Sequence, residues 1–167
     1  MPKKTHKSEA DHLKAAQNRL LDAALAHVPF DGWSDQCFQA AQSDSGIEMA
    51  LARQAFPRGI VDVALAYHQR GDQKMVERAK VRGLTQMRYS QRVAALVRFR
   101  LEAEEDREIT RRGVTFFAVP AHAGEGASAI WRTCDLIWNT LGDTSDDLNW
   151  YSKRAILSAV YSSTLLF

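Results

Sequence analysis

The spacing of apolar residues is the feature that most restricts how this chain can fold. From Leu13 to the C-terminal end, apolar side chains recur every three or four residues, close to the 3.6-residue period of an α-helix. Only 9 glycines and 4 prolines are present among the 167 residues, so few positions interrupt a helix. The sequence therefore predicts an all-α protein.

Length and charge limit the class of protein further. A chain of 167 residues is predicted to form one compact domain, and 46% hydrophobic residues exclude wholesale disorder. A formal net charge of +2 is too small to indicate nucleic-acid binding by itself. Cys37 and Cys134 lie in amphipathic segments, which favours buried free thiols in a reducing compartment over a disulfide.

The N-terminal residues 1–12 are interpreted as a flexible basic arm. They lead into Ser8-Glu9-Ala10-Asp11 rather than an apolar segment, which is not typical of a secretory signal or of an acid-poor transit peptide. No apolar run has the length of a membrane span. We therefore expect a cytoplasmic protein, with peripheral attachment to the inner membrane left open.

Residues 13–59 have the outline of a helix-turn-helix module. A long amphipathic helix ends at residues 28–32, and Ser34 is placed to cap a short helix. A turn at residues 43–46 separates this helix from a second short one at residues 47–56.

The order of small and aromatic residues in this module resembles the N-terminal domain of TetR-type regulators. The residues that carry the resemblance are Gly32-Trp33, Ala40-Ala41, Gly46 and Phe56-Pro57. A recognition helix needs several polar side chains for bases and phosphates, but this one supplies only Arg53 and Gln54, and Glu48 adds an acid. The module is therefore predicted to keep the scaffold and to have mostly lost the DNA-reading chemistry.

The segment from Ile60 to Leu101 is predicted to form long helices, with Gly71 and Gly83 as breaks or close-packing points. It is strongly basic, and acids at residues 102–108 then reverse the sign. A solvated face with ion pairs is favoured, and a surface for anionic lipid headgroups is the alternative. The basic residues are Lys74, Arg78, Lys80, Arg82, Arg88, Arg92, Arg98 and Arg100.

Two further helices are expected before the last one. Residues 113–120 are the most apolar interior stretch, and the all-helical context favours a helix there. Residues 121–127 are interpreted as a loop or a loose helix start, with Ser128 capping the next helix. Its apolar face carries Ile130, Trp131, Cys134, Ile137, Trp138 and Leu141.

Asp146 and Asp147 are predicted to open the last helix, because carboxylates are favourable at a helix N-terminus. One stripe of this helix carries Trp150, Arg154, Leu157 and Tyr161, and the opposite stripe is Leu148, Tyr151, Ala155 and Ala159. Neighbouring residues diverge by about 100° around a helix, so Trp150 and Tyr151 cannot both enter one core. Arg154 is placed either for a partner or for a cation–π contact with Trp150.

Three segments together resemble the ninth Coq protein family of ubiquinone biosynthesis. Residues 20–33 are similar to the start of that family, and residues 131–138 are similar to the helix before its signature. The signature is an acidic residue, then Asn-Trp-Tyr, then a basic pair, and here it consists of Asp147, Asn149, Trp150, Tyr151, Lys153 and Arg154.

The resemblance implies a non-catalytic, TetR-like, usually homodimeric protein, in which residues 60–167 form a helical bundle for lipid binding and dimerisation. It implies no cofactor other than a bound isoprenoid or phospholipid. Partners would be an isoprenoid quinone intermediate, a ubiquinone-pathway hydroxylase and the membrane surface. The family's further amphipathic helix would lie past Phe167.

Site residues follow from this resemblance. Partner contact falls on Asp147, Trp150, Tyr151 and Arg154. The residues expected to line a lipid site are Phe116, Phe117, Trp131, Cys134, Ile137, Trp138 and Tyr161. The histidines have no metal-ligand spacing, and no nucleophile motif or phosphate loop is present in the sequence, which favours a protein that is not an enzyme. A TetR-type regulator with a hydrophobic effector is the alternative function.

Overall fold

The computed structural model describes the backbone of residues 3–104 and 106–165, and the side chains from residue 9 onward. These ranges contain helices only, so the all-α prediction is confirmed and agrees with a TetR-like fold. The helices are α1 Lys3–Asp31, α2 Asp35–Ser45, α3 Met49–Ala55, α4 Ile60–Arg82, α5 Tyr89–Glu102, α6 Arg107–Ala118, α7 Ala123–Thr140 and α8 Asp147–Leu165. None of them is both long and apolar enough to cross a membrane.

The helices fall into two compact units, Met1–Tyr67 and His68–Phe167. In the N-terminal unit, α1 packs against α2 and α3. Ser34 caps α2 as expected, because its side chain accepts a hydrogen bond from the backbone N–H of Cys37 at 3.2 Å. Residues 1 and 2 of the predicted flexible arm lie outside the described residues, and from Lys3 onward the arm is part of α1.

Both cysteines are free thiols with buried side chains, as the sequence predicted. Burial raises the pKa of the Cys37 thiol to about 11, with a further contribution from the nearby Asp31 carboxylate. Burial also raises the pKa of Cys134. Neither thiol is therefore ionised near neutral pH.

The C-terminal unit has one apolar core, to which four helices contribute. Burial of these side chains is the main favourable contribution to the stability of the unit. The core consists of Met75 and Ala79 from α4, Leu96 and Phe99 from α5, Cys134 and Ile137 from α7, and Leu157 and Tyr161 from α8.

A polar network crosses this unit beside the core, and the fully buried guanidinium of Arg100 is at its centre. Arg100 Nε donates to Asp72 Oδ1 at 2.7 Å, and Nη1 donates to Glu104. Nη2 lies 3.2 Å from both the ring Nδ1 and the backbone oxygen of His68. Thr133 Oγ1 donates to Asp72 Oδ1 at 2.8 Å, so the network joins α4, α5 and α7.

The same network fixes the protonation state of His68. Because the Thr133 hydroxyl gives its proton to Asp72, its oxygen must accept from His68 Nε2, which lies 2.8 Å away. Nδ1 is then the bare nitrogen that accepts from Arg100. Burial, followed by the charge of Arg100, lowers the pKa of His68 to about 4, as expected for a neutral ring.

Gly71 is required where α4 passes Arg100, as the sequence interpretation of a close-packing point predicted. A Cβ at position 71 would lie 2.6 Å from Arg100 Nη1 and 2.7 Å from Cζ. The guanidinium cannot retreat without losing its buried hydrogen bonds. Gly83, the second predicted break, ends α4 with a φ of +64°.

The start of α7 differs from the sequence prediction. The helix begins at Ala123, five residues before the expected cap at Ser128, and Gly124 and Gly126 are helical. Gly126 is buried against α6, and a Cβ at this position would lie only 2.7 Å from the Cβ of Phe117. Close contact between α6 and α7 therefore outweighs the low helix propensity of glycine, which had suggested a loop.

Replacing Gly71 by alanine is expected to destabilise the fold by about 2–4 kcal/mol, because the new methyl group displaces a buried, fully bonded guanidinium. Urea unfolding measures the change. Gly124→Ala is the matched control, since a Cβ at Gly124 meets nothing within 4 Å and alanine favours the helix. Equal stability of the two variants would contradict the close contact between Gly71 and Arg100.

The stability of the protein is expected to fall between pH 6.5 and pH 4. Below 6.5 the unfolded chain protonates His68, whereas the folded chain does so only near pH 4, so the folded state is disfavoured as the pH falls. The loss is on the order of 2–3 kcal/mol. The free energy of unfolding should vary less over this range in His68→Gln, and identical pH dependence in both proteins would exclude His68 as the cause.

Candidate functional site

Helix α8 buries one stripe and exposes the other. Arg154, Leu157 and Tyr161 are buried, and Trp150 is half-buried above them. All four residues of the opposite stripe, Leu148, Tyr151, Ala155 and Ala159, are exposed. Leu148 is 84% exposed and Tyr151 61%, and Ile156 and Val160 are 66% and 50% exposed on the same side. Contiguous apolar side chains on a protein surface are normally covered by a partner or a ligand, so the exposed stripe is a candidate binding surface.

Three aromatic rings meet at the N-terminal end of this surface, and we call them the aromatic cluster: Trp131, Trp150 and Tyr151. The rings of Trp150 and Tyr151 are in an edge-to-face arrangement with centroids 4.7 Å apart. Trp131 on α7 lies 6.0 Å from Trp150. Trp150 packs between the buried helix surface and solvent, and Tyr151 points outward, as the angular separation of adjacent residues predicted.

Arg154 differs from the other predicted partner residues because its side chain is fully buried. Its guanidinium lies 4.0 Å from the centroid of the Trp150 ring, which is the cation–π arrangement considered from the sequence. Nε donates to Asp135 Oδ1 at 2.6 Å, and Nη2 donates to Asn139 Oδ1 at 3.3 Å. Arg154 therefore fixes α8 and Trp150 to α7 and offers no surface of its own.

Asp143 completes this arrangement from the turn between α7 and α8. Its carboxylate accepts from Arg154 Nη1 at 3.3 Å and from Lys153 Nζ at 3.0 Å. Hydrogen bonds from Ser145 and then Lys153 are the main causes that lower the pKa of Asp143 to about 2. This carboxylate is therefore ionised at neutral pH, and it pairs with both Lys153 and Arg154.

Asp147 begins α8 as predicted, and its side chain is exposed. Its φ of 56° is in the left-handed region, which aspartate tolerates better than most residues. The carboxylate is therefore available at the solvent-facing edge of the site, one turn before Tyr151.

The residues predicted to line a lipid site are distributed over three places. Cys134, Ile137 and Tyr161 are in the apolar core, and Trp138 packs against that core. Trp131 belongs to the aromatic cluster. Phe116 and Phe117 are half-buried on α6, with ring centroids 5.2 Å apart, and Phe116 stacks on His122 at 4.4 Å.

Three buried polar atoms near this core have no hydrogen-bond partner among the residues that the structure describes. They are the indole nitrogen of Trp138 and the hydroxyls of Ser158 and Tyr161. Burial raises the pKa of the Tyr161 hydroxyl, which therefore remains a donor. Buried donors of this kind are normally satisfied by a water molecule or a ligand.

Sequence reasoning missed the residues that hold Arg154. Asp135 and Asn139 are four residues apart on α7 and therefore lie on one side of the helix, which is a pattern visible in the sequence. That they face Arg154 depends on the packing of α7 against α8, which no local pattern shows. Asp143 is in a turn, and its role could not be read from its neighbours.

In the N-terminal unit, the two polar residues of the predicted recognition helix are both exposed on α3. The guanidinium of Arg53 lies 5.2 Å from the centroid of the Phe38 ring, so it is partly engaged within its own unit. Gln54 and the 40%-exposed Met49 contribute little further base-reading chemistry.

Comparison with known proteins identifies the same region. The COQ9 family model matches residues 123–167, which comprise α7 and α8. The resemblance to the COQ9 family is confirmed. The complete aromatic cluster, Arg154 and its three side-chain acceptors lie in the segment that matches the COQ9 model.

Individual COQ9 proteins match nearly the whole chain. The mitochondrial ubiquinone biosynthesis protein COQ9 of Homo sapiens is 27% identical over 161 residues, which cover 90% of this chain and 49% of the human protein. The Schizosaccharomyces pombe protein of the same description is also 27% identical, over 95% of this chain and 63% of its own length. The chain thus spans about half to two-thirds of the length of these COQ9 relatives.

Replacing Arg154 by methionine is expected to destabilise the protein by about 3 kcal/mol, because the fully buried guanidinium that joins α8 to Asp135 and Asn139 on α7 would be lost, while Asp143 keeps only Lys153 as a cation. Tyr151→Ala removes a whole aromatic ring, but this ring is mostly exposed, so the free energy of unfolding should change by less than about 1 kcal/mol. Thermal and urea unfolding of both variants test this difference. A stable Arg154→Met protein would show that α8 is held by its apolar contacts alone.

Proposed function

We propose that this chain is a non-catalytic accessory protein of ubiquinone biosynthesis. In this proposal it binds an isoprenoid quinone intermediate in its C-terminal unit and presents it to a hydroxylase at a membrane. The observation that carries the proposal is the exposed apolar surface at Leu148 and Tyr151, on a helix that matches the COQ9 family model. The COQ9 relatives are named as ubiquinone biosynthesis proteins, which supplies the pathway.

The aromatic cluster is suited to a protein partner. Tyr151 offers a large, half-rigid apolar surface with a polar end, which is typical of residues that dominate binding energy at interfaces. Trp150 is supported from below by Arg154, so its ring is held in place before a partner arrives. Asp147 adds an exposed carboxylate at the edge, where it can fix the orientation of a basic partner residue.

A lipid in the C-terminal unit is supported by the chemistry of its interior. An isoprenoid chain requires apolar neighbours, which α5, α7 and α8 provide around Ile137 and Leu157. A quinone or phenol head group requires hydrogen-bond donors, and Tyr161 and Trp138 are buried donors without a partner in the described part of the chain. The head group is therefore assigned to these two side chains.

A homodimer is the proposed assembly. Beyond the aromatic cluster, the exposed side of α8 carries Ala155, Ile156, Ala159 and Val160. The two alanines are four residues apart, so a second helix could approach closely there while the larger residues pack around it. The proposal assigns this surface to a second copy of the chain.

Lipid extraction and mass spectrometry of the purified protein test the ligand. We expect a co-purified isoprenoid quinone or its phenolic precursor, and we expect Tyr161→Phe to retain less of it, because one donor is lost while the ring remains. Cells that lack the gene should have altered quinone levels. Absence of both the lipid and the change in quinone levels would contradict the proposal.

Binding of the hydroxylase tests the aromatic cluster separately. Tyr151→Ala is expected to weaken the association roughly tenfold or more without unfolding the protein. Arg111→Ala on α6 is the matched control, since the Arg111 side chain is likewise mostly exposed, at 70%, but lies outside the cluster. If the two variants bind the hydroxylase equally well, the cluster is not the docking surface.

A further inference from the structure

The end of α4, the connection after it and α5 as far as Leu101 form a long segment without acidic residues. Between Glu77 and Glu102 the sequence has arginine and lysine but no aspartate or glutamate. The sequence left two interpretations of this segment open, a solvated face with ion pairs and a surface for anionic lipid. The ion pairs in the structure decide between them position by position.

Three arginines of the segment are committed to carboxylates. Arg78 and Arg98 both pair with Glu102, at 2.7 Å in each case. Arg100 is buried and paired with Asp72 and Glu104. For these three residues the ion-pair interpretation holds.

Four cations have no carboxylate partner within the described parts of the chain: Lys80, Arg82, Arg88 and Arg92. They all lie in or beside the connection between α4 and α5. Glu77, one turn before Lys80, makes no ion pair with it. Four positive charges are therefore concentrated in thirteen residues, Lys80 to Arg92, without compensation.

The connection between α4 and α5 is exposed and is held by hydrogen bonds of its own. From residue 80 to residue 91 every side chain is exposed except that of Leu84, which is half-buried. Arg92 stabilises the turn, because its guanidinium donates to the backbone oxygens of Met87 at 2.8 Å and Thr85 at 2.7 Å. These carbonyls carry no net charge, so the hydrogen bonds of Arg92 do not neutralise the positive charge of the turn.

Apolar side chains are interspersed with these charges. Val81 is 87% exposed, Tyr89 is 45% exposed and Met87 is 42% exposed. Tyr89 also stacks on Trp138 with centroids 6.1 Å apart, which attaches the turn to α7. Val81 and Met87 therefore expose apolar surface to water among cations that have no carboxylate partner.

We propose that the α4–α5 turn, residues 80–92, docks the protein on the surface of a bilayer that contains anionic lipids. Lys80, Arg82 and Arg88 bind the phosphate groups at the surface, while Val81 and Met87 enter the layer below them. Each cation near such a surface contributes to the attraction, and the apolar side chains add a contribution that salt does not screen.

The apolar residues favour a bilayer over a nucleic acid. Nucleic-acid surfaces bind cations together with stacking aromatics and polar side chains, and a valine that is almost completely exposed gains little there. At a bilayer, Val81 and Met87 lose contact with water, and tyrosine is favourable at the level of the head groups. Charge and apolar residues thus match one occupant.

Sedimentation with lipid vesicles tests the proposal on the full chain. We expect binding to vesicles of mixed phosphatidylcholine and phosphatidylglycerol, and little binding to phosphatidylcholine alone. The triple variant Lys80→Gln, Arg82→Gln, Arg88→Gln should bind the anionic vesicles roughly tenfold or more weakly. The variant Val81→Ser, Met87→Ser keeps the charge. At about 0.5 M salt, where the attraction between charges is screened, it should bind the vesicles more weakly than the triple variant does.

The matched control is Lys14→Gln, Arg98→Gln, Arg111→Gln, which removes the same net charge from exposed positions elsewhere. We expect this control to bind the vesicles as the unmodified protein does. If both triple variants lose binding equally, net charge alone explains the binding and the proposal is overturned. Vesicle binding that the turn variants leave unchanged would also overturn it. So would a protein that does not bind vesicles but binds a DNA duplex through the turn residues. A protein that co-purifies with isoprenoid lipid but ignores anionic vesicles would reject this inference and leave the proposed function intact.

Discussion

A buried guanidinium that is paired with carboxylates holds the C-terminal unit together, and the arrangement occurs twice. An arginine removed from water is tolerated only where its N–H groups find acceptors and its charge finds an opposite one. Arg100 meets this requirement with Asp72, Glu104 and His68, and it thereby joins α4 to α5. Arg154 meets it with Asp135, Asn139 and Asp143, and it joins α8 to α7.

These two networks impose different requirements on their surroundings. The Arg100 network requires Gly71, because no side chain fits beneath the guanidinium, and it requires a neutral His68. The Arg154 network instead supports a neighbouring aromatic ring, so it connects the interior of the unit to the exposed side of α8. Pairs of this kind add little net stability compared with apolar packing, but they are specific for one arrangement of helices. Here that arrangement places Trp150 and Tyr151.

The sequence allowed much of the helical architecture to be predicted, because the period of apolar residues and local capping are properties of neighbouring residues. Ser34 is an example, since its side chain caps α2 within one turn of its own position. The start of α7 was predicted five residues too late, because the two glycines before Ser128 suggested a loop, whereas Gly126 packs inside the helix against Phe117. Among the basic residues, no local rule could separate Arg100, which is buried, from Arg98, which is exposed two positions earlier. That difference depends on acceptors brought from α4 and on the position of each residue around α5.

The two buried cysteines have a consequence for selective chemical labelling of the protein. Cys37 and Cys134 are enclosed on all sides and their thiols resist ionisation, so thiol-directed reagents react with them only when the protein opens. A single cysteine introduced on an exposed position would therefore be labelled selectively without removing the natural ones. The rate at which the native thiols become reactive would in turn report the opening of each unit separately, since Cys37 is in one and Cys134 is in the other.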